Sequence, residues 1–262
     1  MIVLFTDFGV GSLYQGQMQA ALLRASGRPL PVVELCSDAP RYNPRAAAYL
    51  LAALAPGLPR GAVIVGVVDP GVGSERRAVV LEADGRWYVG PDNGLFAIVA
   101  RQAHGPRWRE ILWRPESLSD TFHGRDLFAP AAVRIHQGRP LALAAPDPGV
   151  MVGADWPVEL AEVIYLDPYG NAMTALRGGT VSPAARIRVN GRVLAHGRTF
   201  SELRPGTPFW YVNSSGLVEL AVSRGNAAQA LGLQVGTPIH IDNQMPAGRP
   251  AEPESQHGDS EL

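Results

Sequence analysis

A single cysteine, Cys36, is all the chain has. No disulfide can form within it, which excludes a disulfide-stapled secreted scaffold. No apolar run approaches the roughly 20 residues that a membrane-spanning helix needs. The sequence opens on Ile2-Val3-Leu4-Phe5 and turns at once to Thr6-Asp7, without the basic segment and longer apolar core of a signal peptide. Charge of one sign is missing too: 23 Lys plus Arg stand against 24 Asp plus Glu, a formal net charge of -1. A nucleic-acid stripe or an acidic-lipid patch would need clustered cations. The expectation is a cytoplasmic protein that uses no nucleic acid and no membrane, with a small molecule or another protein as its partner.

Several chemical signatures are absent as well. No His-x-His or His-x3-His pair occurs and one cysteine offers no thiolate cluster, so no metal site is expected. No Gly-x-Ser-x-Gly elbow supports a Ser-His-Asp hydrolase. Gly71-Val72-Gly73 lacks the third glycine of a dinucleotide fingerprint, and Pro70 disrupts the helix start that would follow.

What the chain does have is apolar bulk. Hydrophobic residues make up 46% of 262 positions, enough for one large or two modest domains. Within residues 1–150, short β-branched runs (2–5, 62–68, 78–82 and 87–89) alternate with helical stretches (12–26 and 44–55). In the first stretch Tyr14, Met18, Ala21, Leu22 and Ala25 recur at helical spacing. This predicts an α/β N-terminal domain with a central, mostly parallel sheet and functional groups at strand C-termini. Pro146-Asp147-Pro148-Gly149 marks a boundary. Residues 158–243 then change to short strands and frequent turns, with runs at 163–166, 186–189, 209–212, 218–222 and 238–241, a smaller β-rich C-terminal domain. Residues 245–262 are polar and Pro-rich, the composition of a disordered tail.

Certain segments concentrate Asp, Asn, His, Arg and Gly beyond what a core requires. They are Thr6-Asp7-Phe8-Gly9, Asp69-Pro70-Gly71-Val72-Gly73 with Arg76, Pro91-Asp92-Asn93-Gly94, and Thr121-Phe122-His123-Gly124-Arg125-Asp126. To these is added the pair Asp167-Pro168-Tyr169-Gly170-Asn171 and Asn213-Ser214-Ser215-Gly216. Asp7 follows the first strand, where α/β folds bind ligands; it is either a ribose-diol carboxylate or an Asx-turn before Gly9 and Gly11. Asp69 ends the most apolar strand and is either a turn residue before Pro70-Gly71 or a catalytic group. His123, flanked by Phe122 and Gly124-Arg125-Asp126, has a poor setting for a core strand. His104, His196 and His257 lie in polar or turn-like contexts and receive no role.

Taken in order, these segments resemble the adenosine-forming S-adenosylmethionine (SAM) hydrolases, also called SAM hydroxide adenosyltransferases, relatives of the fluorinase and chlorinase. The resemblance runs from about residue 2 to 242. Its most specific pieces are Val67 to Gly73 with Arg76, Thr121 to Pro130, and Asn213 to Gly216 continuing to Arg224-Gly225-Asn226-Ala227-Ala228. It implies hydrolysis of SAM to adenosine and L-methionine without metal or cofactor, by a homotrimer with substrate at subunit interfaces. Asp69, Arg76 and His123 match the water-activating triad, and Asp7 the ribose carboxylate. Asp167 matches the residue that holds the methionine ammonium, and Asn171 the adenine-binding amide. Phe200 and Tyr169 would pack on adenine, Ser214 and Ser215 would bind the methionine end, and Tyr42 and Phe122 would line the pocket. Thr174-Ala175-Leu176, where an Asn usually follows the Thr, and Cys36-Ser37, where Thr-His is common, depart from the pattern beside the pocket.

The implied reaction is substitution at saturated C5′ with a sulfonium leaving group, so positioning and deprotonating water is the difficulty. A halide needs no base, and Gly124 stands where fluorinase carries a halide-binding Ser. A chlorinase-like halide adenosyltransferase and a non-catalytic SAM or adenosine sensor are the competing readings.

Overall fold

The computed structural model describes residues 1–145 and 151–242. The Pro146–Gly149 boundary and the tail lie outside the described residues. The first domain runs β1 (Ile2–Thr6), α1 (Leu13–Ser26), β2 (Val32–Cys36), α2 (Pro44–Leu54), β3 (Val63–Val67), β4 (Ala78–Ala83), β5 (Arg86–Pro91), α3 (Ala97–Gln102), β6 (Arg107–Ile111), α4 (Ala129–His136) and β7 (Leu143–Ala144). Its seven strands form one mixed sheet in the order β2-β1-β3-β5-β4-β6-β7. The first four run parallel; β5, β4, β6 and β7 pair antiparallel.

Strands β1 and β3 are buried along their whole length, as central strands covered on both faces must be. Alternation then sorts their side chains into two cores. Ile2, Leu4, Val63 and Val65 pack with Met18 and Leu22 of α1 and with Ala132 and Val133 of α4. Val3, Phe5 and Ile64 pack on the other face with Tyr49 and Leu51 of α2 and Ile98 and Val99 of α3. Local signals start and stop the helices. Ser12 caps α1 by accepting from the Gln15 amide, and Gly27 ends it at φ 66°. Asn43 caps α2 by accepting from the Ala46 amide at 3.0 Å, with Pro44 in the first turn.

The apolar spacing of α1 and its buried face do not coincide. The buried face of α1 is Gln15, Met18, Ala21, Leu22 and Ser26, while Tyr14 is 50% exposed. Instead of packing on the sheet, Tyr14 turns to Phe8 and Phe122, with ring centroids 5.9 and 5.5 Å away.

The second domain runs β8 (Leu160–Leu166), β9 (Ala172–Arg177), β10 (Arg186–Val189), β11 (Arg192–His196), β12 (Pro208–Val212), β13 (Leu217–Val222), α5 (Ala227–Leu231) and β14 (His240–Asp242). Its sheet order is β14-β10-β11-β12-β13-β9-β8. The sheet curls until its ends meet: Val163 N donates to Thr237 O at 2.9 Å, and Ile239 N to Ala161 O at 2.9 Å. Trp210, Leu220, Ile187 and Leu194 fill the enclosed core. The domains also share a core, since Ile164, Ala175 and Leu217 pack with the α2 side of the first sheet. Polar ties across the junction are Tyr49 Oη to Pro157 O at 2.6 Å and Tyr165 Oη to Asp38 Oδ2 at 2.9 Å.

Candidate active site

Asp7 and Asp69 follow two neighbouring parallel strands, β1 and β3, at their C-terminal ends. That is where a doubly wound sheet gathers ligand groups. The Asp69 carboxylate, 4% exposed, is gripped by Arg76, itself 9% exposed. Arg76 Nε donates to Asp69 Oδ1 at 2.6 Å, and Nη2 donates to Oδ2. The same Nη2 lies 3.1 Å from His123 Nδ1. A guanidinium has no acceptor, so Nδ1 must accept and the imidazole proton sits on Nε2. Burial, and then the Arg76 charge, hold the His123 pKa below the usual histidine value, against the opposing pull of Asp69. His123 is therefore neutral near pH 7. It opens a π-helical turn, Gly124–Phe128, that leads into α4. The Phe128 ring at the end of this turn lies 5.5 Å from the Arg76 guanidinium carbon.

Backbone geometry brings the two loops together. Gly73 has φ +81°, and a Cβ there would come within 2.6 Å of the Asp120 carbonyl. Only glycine lets the Asp69–Arg76 loop lie so close to the His123 loop. Pro91-Asp92-Asn93-Gly94 braces the arrangement from behind: Asn93 Nδ2 donates to Val68 O at 2.8 Å, and Arg77 Nε to Asp92 Oδ2 at 2.9 Å.

Asp7 accepts from the Tyr42 amide at 3.1 Å. Burial raises its pKa above the ordinary carboxylate value, and the Tyr42 N–H acts the other way. Tyr42 holds φ 55°, a left-handed conformation that is uncommon and strained for an aromatic residue, and the residue is 79% exposed.

Asp7, Tyr42, Asp69, Phe122 and His123 line one cavity of about 600 Å³. Phe8, Tyr14 and Phe122 form one wall, with Phe8 and Phe122 edge to face at 5.7 Å. Arg125 stacks over Phe122 at 5.0 Å and donates to Gln17 Oε1 at 3.0 Å. Among the described residues no group of three His, Cys, Asp or Glu is disposed to hold a metal ion.

The remaining candidates gather on the second domain. Asp167 Oδ1 accepts from the amides of Tyr169 and Asn171 at 2.9 and 2.8 Å, and Oδ2 from Asn171 Nδ2 at 2.9 Å. Phe200 meets Tyr211 edge to face at 5.3 Å. Ser214 and Ser215 sit on the turn between β12 and β13. None of these residues lines the Asp69 cavity.

Residues 2–145 match the SAM hydroxide adenosyltransferase N-terminal domain and residues 161–240 its C-terminal domain. The chain belongs to the SAM hydroxide adenosyltransferase family. A Thermus thermophilus relative named (R)-S-adenosyl-L-methionine hydrolase is 41% identical over 92% of this chain and 98% of its own length. One of the same name from Salinispora arenicola is 37% identical over 90% and 95%. Among solved structures, an uncharacterized conserved protein from Thermotoga maritima superposes with TM-score 0.78 at 28% identity, covering 93% of this chain and all of its own. A conserved hypothetical protein from Thermus thermophilus gives 0.69 at 38% identity, covering 92% and 98%.

The sequence-derived candidates thus fall into two groups, one per domain. Sequence reading gave no role to Phe8, Tyr14, Gln17, Arg41, Ser119 or Thr121, which also line the cavity. Phe8 and Thr121 lie inside the segments singled out in the sequence, and Arg41 and Ser119 stand one position from Tyr42 and two from Thr121. Tyr14 and Gln17 carry no motif, and only the position of α1 over the strand ends reveals them.

Proposed function

We propose that this chain hydrolyses SAM to adenosine and L-methionine, with water attacking ribose C5′ in line with the departing sulfur. The reading is carried by Asp69 and His123, which line one cavity with Asp7 and Tyr42 and are bridged by Arg76, itself outside the lining. Its support from relatedness is a 41% identical protein named for this substrate. That name specifies the (R) form, so the same sulfonium epimer is assigned to this chain.

The chemistry follows from the groups. As the O–C5′ bond forms, the S–C5′ bond breaks and sulfur keeps the electron pair, leaving as the neutral thioether of methionine. No oxyanion develops, so the task is to position water and collect its proton. Correct placement alone contributes on the order of 7 kcal/mol. Because Arg76 occupies Nδ1, His123 holds the water by donating from Nε2–H. One water lone pair accepts that bond and the other attacks. Asp69, with lone pairs beyond those Arg76 uses, takes the proton. A carboxylate is base enough, because the attacking oxygen becomes strongly acidic as it bonds to carbon. Asp7 keeps acceptor capacity for the ribose diol beside the Tyr42 amide. The scheme uses no metal and no cofactor.

The Asp167, Asn171, Phe200 and Ser214–Ser215 groups are assigned to adenine and methionine in a cytoplasmic homotrimer, where one copy's second domain completes another's cavity. Their absence from the Asp69 cavity of their own chain supports this. A monomer by light scattering contradicts it. For the reaction, protein incubated with each SAM epimer, with and without chloride, is expected to give adenosine and L-methionine in equal amounts from the (R) form. Binding without products, or 5′-chloro-5′-deoxyadenosine in chloride, overturns the reading.

A further inference from the structure

Glu219 is a buried acid that the scheme above does not use. It is 2% exposed on β13 and pairs across the sheet with Tyr211 of β12. Its strand neighbours Val218 and Leu220 fill the enclosed core of the second domain. Glu219 therefore lies on the opposite face, beside Leu217 and across from Met173, both packed on the first domain's core. A residue needed there only for packing would be apolar, since an ionised carboxylate loses its hydration on burial. What Glu219 gains in exchange is specific: Tyr211 Oη donates to Oε1 and Asn213 Nδ2 to Oε2, both at 2.6 Å.

The Asn213 contact has a consequence for the next turn. With its Nδ2 spent on Glu219, Asn213 presents Oδ1 to the amides of Ser215 and Leu217, each at 3.0 Å. Its carbonyl takes the Gly216 amide at 2.9 Å, closing the turn. An amide side chain can face either way, whereas an ionised carboxylate only accepts. Reversing Asn213 would leave the Ser215 and Leu217 amides facing its NH2 group.

We propose that Glu219 is a positioning residue for the methionine end of the substrate: acting only as an acceptor, it fixes the Asn213 amide and so the turn that presents Ser214 and Ser215. This rests on the reading of the chain as a SAM hydrolase.

The test removes the contact and then restores it with its polarity swapped. Glu219→Leu takes away the acceptor that holds the Asn213 amide, and Asn213→Asp sets two carboxylates face to face. Each is expected to raise KM for SAM by about tenfold or more, with kcat changed by less than about threefold. In the double variant Glu219→Gln with Asn213→Asp the new amide donates to the new carboxylate, whose other oxygen still serves Ser215 and Leu217, while its own oxygen accepts from Tyr211. Its KM should return to within about threefold of the parent. Calorimetric binding of L-methionine should show the same loss and recovery without relying on turnover. Unchanged KM in Glu219→Leu, or a double variant no better than Asn213→Asp alone, overturns the role. If Glu219→Leu melts below the assay temperature, the double variant decides alone: a parental KM supports the role and a raised one overturns it. If the unaltered protein makes no adenosine, the hydrolase reading fails instead.

Discussion

Arg76 donates to Asp69 through Nε at 2.6 Å while its Nη2 stands 3.1 Å from His123 Nδ1. This single side chain orders the site, because it decides which imidazole nitrogen keeps the proton. His123→Gln retains an N–H donor near Nε2 and is expected to keep kcat within about tenfold, whereas His123→Ala should lose about 10²–10⁴-fold. Rates of adenosine release compare the two. Equal losses would make His123 the proton acceptor and Asp69 its support.

The pH profile supplies an independent reading. Burial and the Arg76 charge lower the His123 pKa from its ordinary 6.5. The neutral ring is the working form, so activity should persist below pH 6.5 and fall only as pH drops through the lowered value. Arg76→Gln removes the cation, so the acid limb of its residual activity should move upward. An unaltered enzyme whose acid limb lies above 6.5 contradicts the geometry.

Asp7 shows the opposite shift, with a stability consequence. Its pKa in the folded chain is raised from 3.8, mainly by burial. Keeping it ionised therefore costs stability above that value, and the cost disappears as pH falls and the group protonates. Asp7→Asn is expected to raise Tm at pH 7, a gain that shrinks as pH approaches 4, while KM for SAM rises. A lower Tm at pH 7 would show that the Tyr42 amide contact outweighs burial.

Gly73→Ala asks whether the Asp69 and His123 loops need their close approach. The new Cβ would meet the Asp120 carbonyl at 2.6 Å on a backbone with φ +81°, a strain of about 1–3 kcal/mol. Both stability and kcat should drop, and thermal melts with adenosine assays check this. Normal kcat would mean that the loops adjust without disturbing the Arg76 bridge.

Much of this was legible in the sequence, for identifiable reasons. β1 and β3 announce themselves as continuous apolar runs, and the Asp69–Gly73 and Thr121–Asp126 segments stand out because a core has no use for them. Two hairpins were also there to be read. Asp84-Gly85 (φ 47° and 75°) joins β4 to β5, and Asn190-Gly191 (φ 44° and 73°) joins β10 to β11. These dipeptides favour turns with positive φ at both positions. β2 and β6 carry charged residues within five-residue strands and lack a clean apolar pattern. Helical spacing groups Tyr14 with Met18 and Leu22, but periodicity sees one helix and not the end of the sheet beneath it, so it does not show that Tyr14 turns to Phe8 and Phe122. The Arg76–His123 contact spans 47 positions, and only the fold shows which nitrogen is engaged.

The Tyr165–Asp38 bond ties the second domain to the segment between β2 and α2, a few residues before Tyr42 meets Asp7. Burial and the Asp38 contact push the Tyr165 hydroxyl far above its ordinary pKa, so it remains a donor at any pH the fold tolerates. Tyr42 and its hold on Asp7 are thus moored to the neighbouring domain. A rotation of that domain would pull on Tyr42 and, through its amide, on Asp7, so slackening this mooring would loosen the Asp7 contact.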